Sequence, residues 1–414
     1  MRLKDIRLNN VGIVSLLSFM ALCPIFYDTA HKQQYGQLRL GQEQFYQLGA
    51  TVLFAIVFLE NIYLSLFLLW SIALYCYFNF PSIGGDYIQN IFWGLVLYQI
   101  AYKLINKDNV ESVFKMVLVI CALNMVWLAL QLNHIDLIFL EEGKQIYTHD
   151  YVGLMGLKAF MGVFFALCLP IMAYFNPWLA VFFFIPIYLS DCSVAVLGGI
   201  ASFIFTLWFK SKKLSLILIL LLGIAGGLYV KRDVGSQGEM FVDRFSLWKV
   251  TMRDAFKHPF TGWGLDSFSH MGDFKPFMYF KNARTNETRA VGIEALRFHR
   301  ETGQFPPMGT FVSKGDSINP WDNPHNEYVG LFYEFGLIGT LIILFMKRDM
   351  WMRFVPKPKI IALAGFFISL AIISLGQFPL HVARTACYIP IFLGIYYKLT
   401  DEDNLIQRSI DYGT

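Results

Sequence analysis

Long apolar stretches separated by short polar turns make up most of the chain. A helix that crosses the hydrocarbon core of a bilayer needs roughly 20 residues, and the second and seventh stretches are the shortest candidates. The Asn176–Pro177 pair separates two of the stretches, as a turn signal does. We predict twelve membrane-spanning helices, at about residues 11–27, 47–60, 62–80, 90–105, 113–133, 158–175, 178–190, 192–209, 214–230, 326–346, 360–380 and 383–399.

One long hydrophilic segment, at about residues 231–325, interrupts the apolar pattern. The predicted fold is therefore all-α and polytopic, with about twelve transmembrane helices and one large loop outside the membrane, which would be periplasmic in a bacterial inner-membrane protein. We predict helices one to nine within residues 1–230, a loop domain that contains an amphipathic helix within residues 231–325, and helices ten to twelve with a cytoplasmic tail within residues 326–414.

The distribution of Lys and Arg gives the orientation, because cytoplasmic connections carry an excess of both. The short connections 81–89 and 190–193 contain neither residue. With an even number of spans, both termini are cytoplasmic, and all eight histidines and the long loop lie on the outer side. The basic clusters then all lie inside, at Arg2 to Arg7, Lys103 and Lys107, Lys210 to Lys213, residues 347–359 and Arg408.

Composition excludes two classes of protein. The chain is 56% hydrophobic and 15% charged, with a mean hydropathy of +0.49, which is more apolar surface than a soluble protein of this size can bury. It has no basic tract interleaved with aromatic residues, so we expect no nucleic-acid partner. The six cysteines lie in or beside apolar runs without a CxxC pair, and we interpret them as small core residues.

The loop contains a predicted amphipathic helix at residues 239–258. Its apolar residues recur every three or four positions, which places them on one helical face: Phe241, Phe245, Trp248, Met252 and Phe256. Such a helix lies on the membrane or caps the helix bundle, and a plain packing helix is an equally good interpretation. Pro259 ends it, and Gly262 and Gly264 allow a tight turn.

The outer mouth of the tenth span carries candidate chemistry. His325 and Asn326 follow Pro324, which favours a helix start, and histidine is the side chain best suited to proton transfer near neutral pH. Glu334 lies within the span, together with Gly336 and Gly339, which allow close helix packing. By default, a histidine at a helix mouth is only a surface residue.

Cations at the outer helix ends form a second candidate set. Lys158 opens the sixth span, Arg244 lies in the loop helix and Arg384 follows the eleventh span, while Asp191 lies between the seventh and eighth spans. An anionic headgroup or a diphosphate requires such cations. Alternatively, Lys158 and Arg384 are interfacial residues whose side chains extend to the headgroups.

Two motifs resemble a known family. His325-Asn326, nine residues, Gly336, two residues and Gly339 match one motif, and the second runs from Arg244-x3-Trp248 to His258-Pro259-x2-Gly262-x-Gly264-x3-Phe268. Both resemble the O-antigen ligase family, which shares a membrane domain with O-antigen polymerases and O-linked protein oligosaccharyltransferases. The resemblance covers about residues 150–400.

The resemblance implies an enzyme of the bacterial inner membrane with a periplasmic active site. It would transfer a glycan from undecaprenyl diphosphate to lipid A-core, with His325 as the base and Arg244 contacting the diphosphate. Many members carry a Ser-Arg pair at the start of the eighth span, whereas this chain has Ser190-Asp191. Lys158 and Arg384 are the candidates for the missing charge.

The chemistry expected from these residues is inverting glycosyl transfer without a metal or cofactor. Trp248, Asn326, Asp191 and Glu334 complete the predicted substrate site. Within the same family, a polymerase and a protein-glycosylating enzyme are the alternatives. A transporter of lipid-linked glycans is the alternative from another class, although it would place charges near the membrane midplane, whereas most charges here lie at the outer ends of the spans.

Overall fold

The computed structural model describes seven positions between residues 63 and 74. It also describes residues 84–133, 140–141, 144–145, 158–190, 192–217, 219, 245, 248–249, 251–264, 267–268, 279–281, 317–319, 324–377, 379–381 and 386–411. These residues are mainly helical, as the apolar pattern predicts. The first two predicted spans lie outside the described residues.

Among the helices in the described part of the chain, nine have the following bounds: α1 Gly84–Leu104, α2 Val110–Leu132, α3 Lys158–Phe175, α4 Pro177–Phe182, α5 Phe184–Leu189, α6 Ser193–Lys210, α7 Glu327–Met352, α8 Pro358–Ile373 and α9 Tyr388–Asp411. A 3-10 helix covers Pro379–His381. The fold class is all-α, as predicted, and the described residues also include antiparallel pairs of very short strands: β1 Leu140–Glu141 with β2 Lys144–Gln145, and β3 Tyr279–Lys281 with β4 Ser317–Asn319.

Three of the described helices, α2, α6 and α7, are long and apolar enough to cross a membrane. The bounds of α3 coincide with the predicted sixth span. Asn176 accepts a hydrogen bond from the Trp178 N–H and caps α4, which confirms the predicted turn before Pro177. The chain is thus a membrane protein, and the total of twelve spans stays a prediction.

The predicted seventh span, residues 178–190, is not one continuous helix. It consists of α4 and α5, which are separated at Phe183. Pro186 lies within α5 and has no N–H to donate to residue 182, and its ring conflicts with that carbonyl. The break therefore lies one turn before this proline. Helix α8 also ends before residue 380, in a turn at residues 374–376.

The chain divides into two compact units. The first comprises residues 1–65, 89–220 and 346–414, and the second comprises residues 66–88 and 221–345. The second unit contains the whole of the predicted loop domain, together with the first part of α7. The predicted catalytic residue, His325, belongs to the second unit.

In the first unit, α3, α6 and α8 form the helical core. Small residues allow their backbones to approach closely, as is typical of membrane helices. A Cβ added at Gly198 would lie 2.8 Å from the Ile373 Cγ1, and one added at Gly365 would lie 2.7 Å from the Pro170 Cβ. The described cysteines are free and buried, as predicted: Cys121, Cys168, Cys192 and Cys387.

Several of the predicted cytoplasmic connections meet at one end of the first unit. Lys107 and Lys357 both pair with the buried Asp403 of α9, the latter at 2.8 Å. Arg353 pairs with Asp401, and the Lys359 ammonium donates to the Lys107 carbonyl at 2.6 Å. These connections therefore lie on the same side, as the Lys and Arg distribution predicts.

The ends of α3 and α6 also lie together in this unit. The Lys210 ammonium donates to the Ala173 and Tyr174 carbonyls, at 2.6 and 2.8 Å, and so satisfies the last turn of α3. The Phe205 ring of α6 packs against the Phe354 ring, with 6.1 Å between the ring centroids. The chain segments that contain Lys210 and Phe354 are thus held at the same end of the unit.

Candidate functional site

A break in α7 is the central feature of the candidate site. Gly336 lies within the helix but has φ 62° and ψ −165°, a combination that only glycine adopts without strain. A helix interrupted in this way cannot bond its own backbone across the break. The carbonyls just before Gly336 and the N–H groups just after it therefore need other partners, above all in a membrane protein.

The loop segment 259–264 supplies those partners. Two of its N–H groups donate to carbonyls on the near side of the break, and two of its carbonyls accept from N–H groups on the far side. The four bonds are Trp263 N–H to Tyr333 (2.8 Å), Gly264 N–H to Glu334 (3.0 Å), Leu337 N–H to Pro259 (2.8 Å) and Ile338 N–H to Phe260 (3.3 Å). The loop motif and the helix motif thus form one hydrogen-bonded unit.

Two glycines make this close approach possible. Gly262 has φ +68°, and a Cβ there would lie 2.5 Å from the Glu334 carbonyl carbon. A Cβ at Gly336 would lie 2.5 Å from the Phe260 carbonyl carbon. The tight turn predicted from Gly262 and Gly264 is confirmed, since both have positive φ. Gly336 breaks the helix rather than packing against another one.

Gly339 has the packing role that the sequence predicted. A Cβ at this position would lie 3.3 Å from the Trp70 Cδ1. The Trp70 indole N–H donates to the Phe335 carbonyl at 3.1 Å. This segment around Trp70 therefore contacts α7 on the turn that holds Gly336, within the same compact unit.

His325 and Asn326 form the entry to α7. His325 is half-buried and has φ 50°, and it is the single non-glycine residue with positive φ in the described part of the chain. Such a backbone conformation is uncommon and is concentrated at functional sites. The Asn326 Oδ1 accepts from the N–H groups of Tyr328 and Val329, at 3.0 and 3.1 Å, and so caps the helix.

A helix in the loop, here called the loop helix, contains residues 245, 248–249 and 251–255. Its Trp248 indole N–H donates to the Pro324 carbonyl at 2.8 Å. Pro324 directly precedes His325, so this bond attaches the loop helix to the backbone of the predicted base. The predicted helix is thereby confirmed where it is described, and it ends before Pro259 as expected.

The loop helix packs on the protein through one side, while two of the predicted apolar residues are exposed. Thr251, Asp254 and Ala255 are buried, while Phe245 and Phe256 are 68% and 63% exposed. Asp254 lies off the apolar face that the sequence predicts. Its Oδ2 accepts from the Tyr333 hydroxyl at 3.2 Å, because burying a carboxylate requires hydrogen-bond partners.

Asp254 also links the loop helix to the segment that fills the break. Its Oδ1 pairs with the Lys257 ammonium at 2.6 Å, and its carbonyl accepts from the Trp263 indole N–H at 3.0 Å. The Trp263 ring packs against the His258 ring, with 4.1 Å between the ring centroids. The roles of Asp254, Tyr333 and Trp263 were not predicted from the sequence, although the position of Trp263 between two turn glycines was an available signal.

Glu327 and Glu334 are both buried in α7, with 8% and 5% of their surface exposed. Glu327 lies in the first turn of the helix, where the helix dipole favours a carboxylate. The predicted burial of Glu334 within the tenth span is confirmed. Among the described residues, no three His, Cys, Asp or Glu side chains lie close enough to share a metal ion.

Other predicted residues belong to the first unit or lie outside the description. Lys158 is the first residue of α3. The residues on either side of Asp191 are ordered by hydrogen bonds, because the Ser190 hydroxyl accepts from the Cys192 N–H at 3.3 Å and the Gln377 amide contacts the Cys192 Sγ at 3.6 Å. Arg244, Asp191 and Arg384 lie outside the described residues.

The apolar helices define a polytopic membrane protein, in which a loop bonds to one helix both just before its first turn and at its break. Residues 159–344 match the O-antigen ligase family, whose members are glycosyltransferase-like enzymes. This match confirms the resemblance inferred from the two motifs, and both motifs lie within it. A comparison with curated protein sequences gives no match.

Proposed function

We propose that this protein transfers a glycan from undecaprenyl diphosphate to lipid A-core at the periplasmic face of the inner membrane. The observation that carries the proposal is the joining of the two family motifs. Trp248 bonds to the residue before His325, and the segment with Gly262 and Gly264 bonds to the helix that His325 opens. Residues far apart in sequence thus contact one helix, at its start and at its break.

His325 would act as the general base. A neutral imidazole can take the proton from the acceptor hydroxyl as that oxygen attacks the anomeric carbon of the donor, and such catalysis contributes roughly 10²–10⁴-fold. The carbon–oxygen bond to the diphosphate breaks in the same step, so the anomeric configuration inverts. The half-buried position of His325 at the helix mouth supports access by a substrate.

Cationic side chains would neutralise the negative charge of the leaving group. A lipid diphosphate needs charge stabilisation rather than protonation as it departs. Arg244 is proposed as one diphosphate contact, because it belongs to the same motif as Trp248, whose indole N–H bonds to the carbonyl before His325. Lys158 and Arg384 are proposed as further diphosphate contacts, since Asp191 occupies the position of the family arginine.

The other proposed site residues divide into two groups. Trp248 and Asn326 use polar atoms for bonds within the protein, which favours a part in positioning over direct substrate binding. Glu334 and Glu327 are buried carboxylates on the His325 helix, and we propose that one of them orients the imidazole, with Asp191 as the alternative.

Reconstitution in lipid vesicles tests the proposal and its alternatives. The donor is undecaprenyl-diphosphate glycan, offered with lipid A-core, with a second donor glycan or with a pilin-like protein. We expect a covalent product with lipid A-core. Extension of the second glycan would indicate a polymerase, a glycosylated protein would indicate an oligosaccharyltransferase, and movement of unaltered donor across the vesicle membrane would indicate a transporter.

The essential variant in this assay is His325→Asn, with His325→Ala beside it. Asn tolerates the left-handed backbone of position 325, so His325→Asn removes the base without the backbone cost that Ala adds. We expect both variants to reach the membrane and to lose transfer by roughly 10²-fold or more. Wild-type transfer by His325→Asn would exclude His325 as the base.

A further inference from the structure

We propose that the loop helix lies in the membrane interface, with an aromatic surface inserted among the acyl chains of phospholipids. The aromatic surface is formed by Phe245, Phe256 and Phe260. Their exposed fractions are 68%, 63% and 63%. Phe245 and Phe256 are eleven residues apart, about three helical turns, and therefore lie on one face of the helix. Rings exposed to this extent mark an interaction site rather than ordinary surface.

The other sides of the loop helix are fixed to the protein. Thr251, Asp254 and Ala255 are buried, and Asp254 accepts from the Tyr333 hydroxyl. Trp248 donates to the Pro324 carbonyl. The helix cannot roll to bury Phe245 and Phe256 without losing these bonds. The aromatic surface is therefore held outward.

The aromatic surface continues onto a helix that is long and apolar enough to span the membrane. The Phe260 carbonyl accepts from the Ile338 N–H, and the Phe256 ring lies 5.6 Å from the Phe332 ring. Leu337 and Ile338, in the same turn of α7, are 39% and 38% exposed. Because the aromatic surface adjoins exposed apolar residues of a helix that can span the membrane, we place it at the depth of the lipid acyl chains. It also favours lipid over a second protein as the occupant.

Basic residues flank the aromatic surface. Lys249 and Arg253 are exposed and four residues apart, so they lie side by side on the helix. In a helix with period 3.6, they lie next to the face of Phe245 and Phe256 and away from the buried Asp254. An interfacial helix combines aromatic residues in the acyl region with Lys and Arg at phosphate depth. The occupant that fits is a phospholipid leaflet.

This arrangement has a consequence that rests on the proposed function. The loop helix holds Trp248, and through it the backbone before His325, at the depth of lipid phosphate groups. A lipid-linked donor carries its diphosphate at this depth. The membrane would thus present the donor to the site without its extraction into water.

Photocrosslinking tests the position of the loop helix independently of any glycan chemistry. The photoreactive benzoylphenylalanine replaces Phe256 or Phe260 in the full chain, in nanodiscs of phosphatidylglycerol and phosphatidylethanolamine with deuterated acyl chains. Because both side chains are largely exposed, the larger ring needs no repacking of the core. We expect adducts with the mass of deuterated phospholipid at both positions after irradiation.

Two positions provide the controls. Leu344 is 50% exposed in the span helix α7 and should give lipid adducts, which shows that the reaction works. Arg253, on the flank of the loop helix, should give several-fold fewer acyl-chain adducts than Phe256. Protein–protein crosslinks without lipid adducts at Phe256 and Phe260, or equal lipid yields at Arg253 and Phe256, would overturn the proposal. Loss of transfer activity alone would not bear on it.

Discussion

At the scale of single residues, the site uses polar side chains to hold the backbone at a helix entry. The Asn326 side chain caps α7, and the Trp248 indole N–H bonds to the carbonyl before His325. His325 itself has a backbone conformation that costs on the order of 1 kcal/mol for a non-glycine residue. The surrounding bonds therefore stabilise a strained residue at the point where we propose that chemistry occurs.

Replacing Trp248 with Phe tests whether this residue positions His325. The variant keeps an aromatic ring but loses the bond to Pro324, which costs about 1 kcal/mol of stability. We expect kcat to fall while KM changes little, because a displaced base affects the transition state more than substrate binding. Steady-state kinetics on the reconstituted protein measures both constants.

The double variant with His325→Asn is the control for Trp248. If Trp248 acts through His325, the second substitution should add little to the loss that His325→Asn already causes. A rise in KM at unchanged kcat in Trp248→Phe would instead indicate a direct substrate contact. That result would contradict the positioning interpretation.

At the scale of elements, the loop and α7 complete each other's backbone hydrogen bonds. The break at Gly336 leaves groups without helical partners, and residues 259–264 bond to both sides of it. Neither element satisfies its backbone alone, so each requires the other in a lipid environment. This dependence gives a physical reason why the two glycine-containing motifs occur in one chain.

Replacing Gly336 with Ala should disrupt this joint. The backbone conformation alone costs about 1–3 kcal/mol for a residue with a Cβ, and the added carbon would overlap the Phe260 carbonyl. We expect a clearly lower temperature of thermal unfolding in detergent, and loss of transfer activity because the loop is released from α7.

Gly330→Ala in the same helix is the matched control. Its added Cβ would lie 3.4 Å from the nearest atom, the Pro324 Cγ, which is ordinary van der Waals contact. Since Ala is favoured over Gly in a helix by up to about 1 kcal/mol, this variant should keep or slightly raise the unfolding temperature. Equal effects at both positions would refute a specific role for the break.

At the scale of the whole molecule, ion pairs join distant connections at one end of the first unit. Asp403 is buried and pairs with Lys107 and Lys357. Burial by itself would raise the pKa of Asp403, but the hydrogen bonds and charges of the two lysines outweigh it, and the pKa lies below its usual value of 3.8. The C-terminal helix is thereby bound to two connections that we predict to be cytoplasmic.

Replacing Asp403 with Asn should reduce stability by about 1 kcal/mol at neutral pH, because both lysines lose their ionic partner while staying partly hydrated. The lowered pKa means that the wild-type advantage is fully present above pH 3.8 and is lost as the pH falls through the lower folded-state value. Unfolding temperatures of both proteins from neutral to acidic pH should therefore converge at low pH.

The neighbouring pair of Glu402 with Lys398 offers a control for Asp403. These groups are 3.4 Å apart and more exposed than Asp403, so their pair should contribute little. Glu402→Gln should leave the unfolding temperature almost unchanged. A loss equal to that of Asp403→Asn would indicate a general effect of charge rather than the specific pairs of Asp403.

Much of the helical framework follows from the sequence, because apolar periodicity and length are local properties. The bounds of α3, the cap at Asn176 and the turn at Gly262 all lie where the chain itself signals them. The split of the predicted seventh span escaped the pattern, because the effect of Pro186 on an apolar stretch is not visible in hydropathy.

For the site, the sequence by itself determined which residues are candidates and which two motifs contain them, since the order of His, Asn and Gly along the chain is sufficient to indicate the family. Only the tertiary structure decided what those residues do. It showed that Asn326 caps a helix, that Gly336 breaks one and that Asp254 is buried. The reason is physical: the break at Gly336 and the burial of Asp254 depend on hydrogen bonds and close approaches between segments more than 70 residues apart, and no local pattern encodes such contacts.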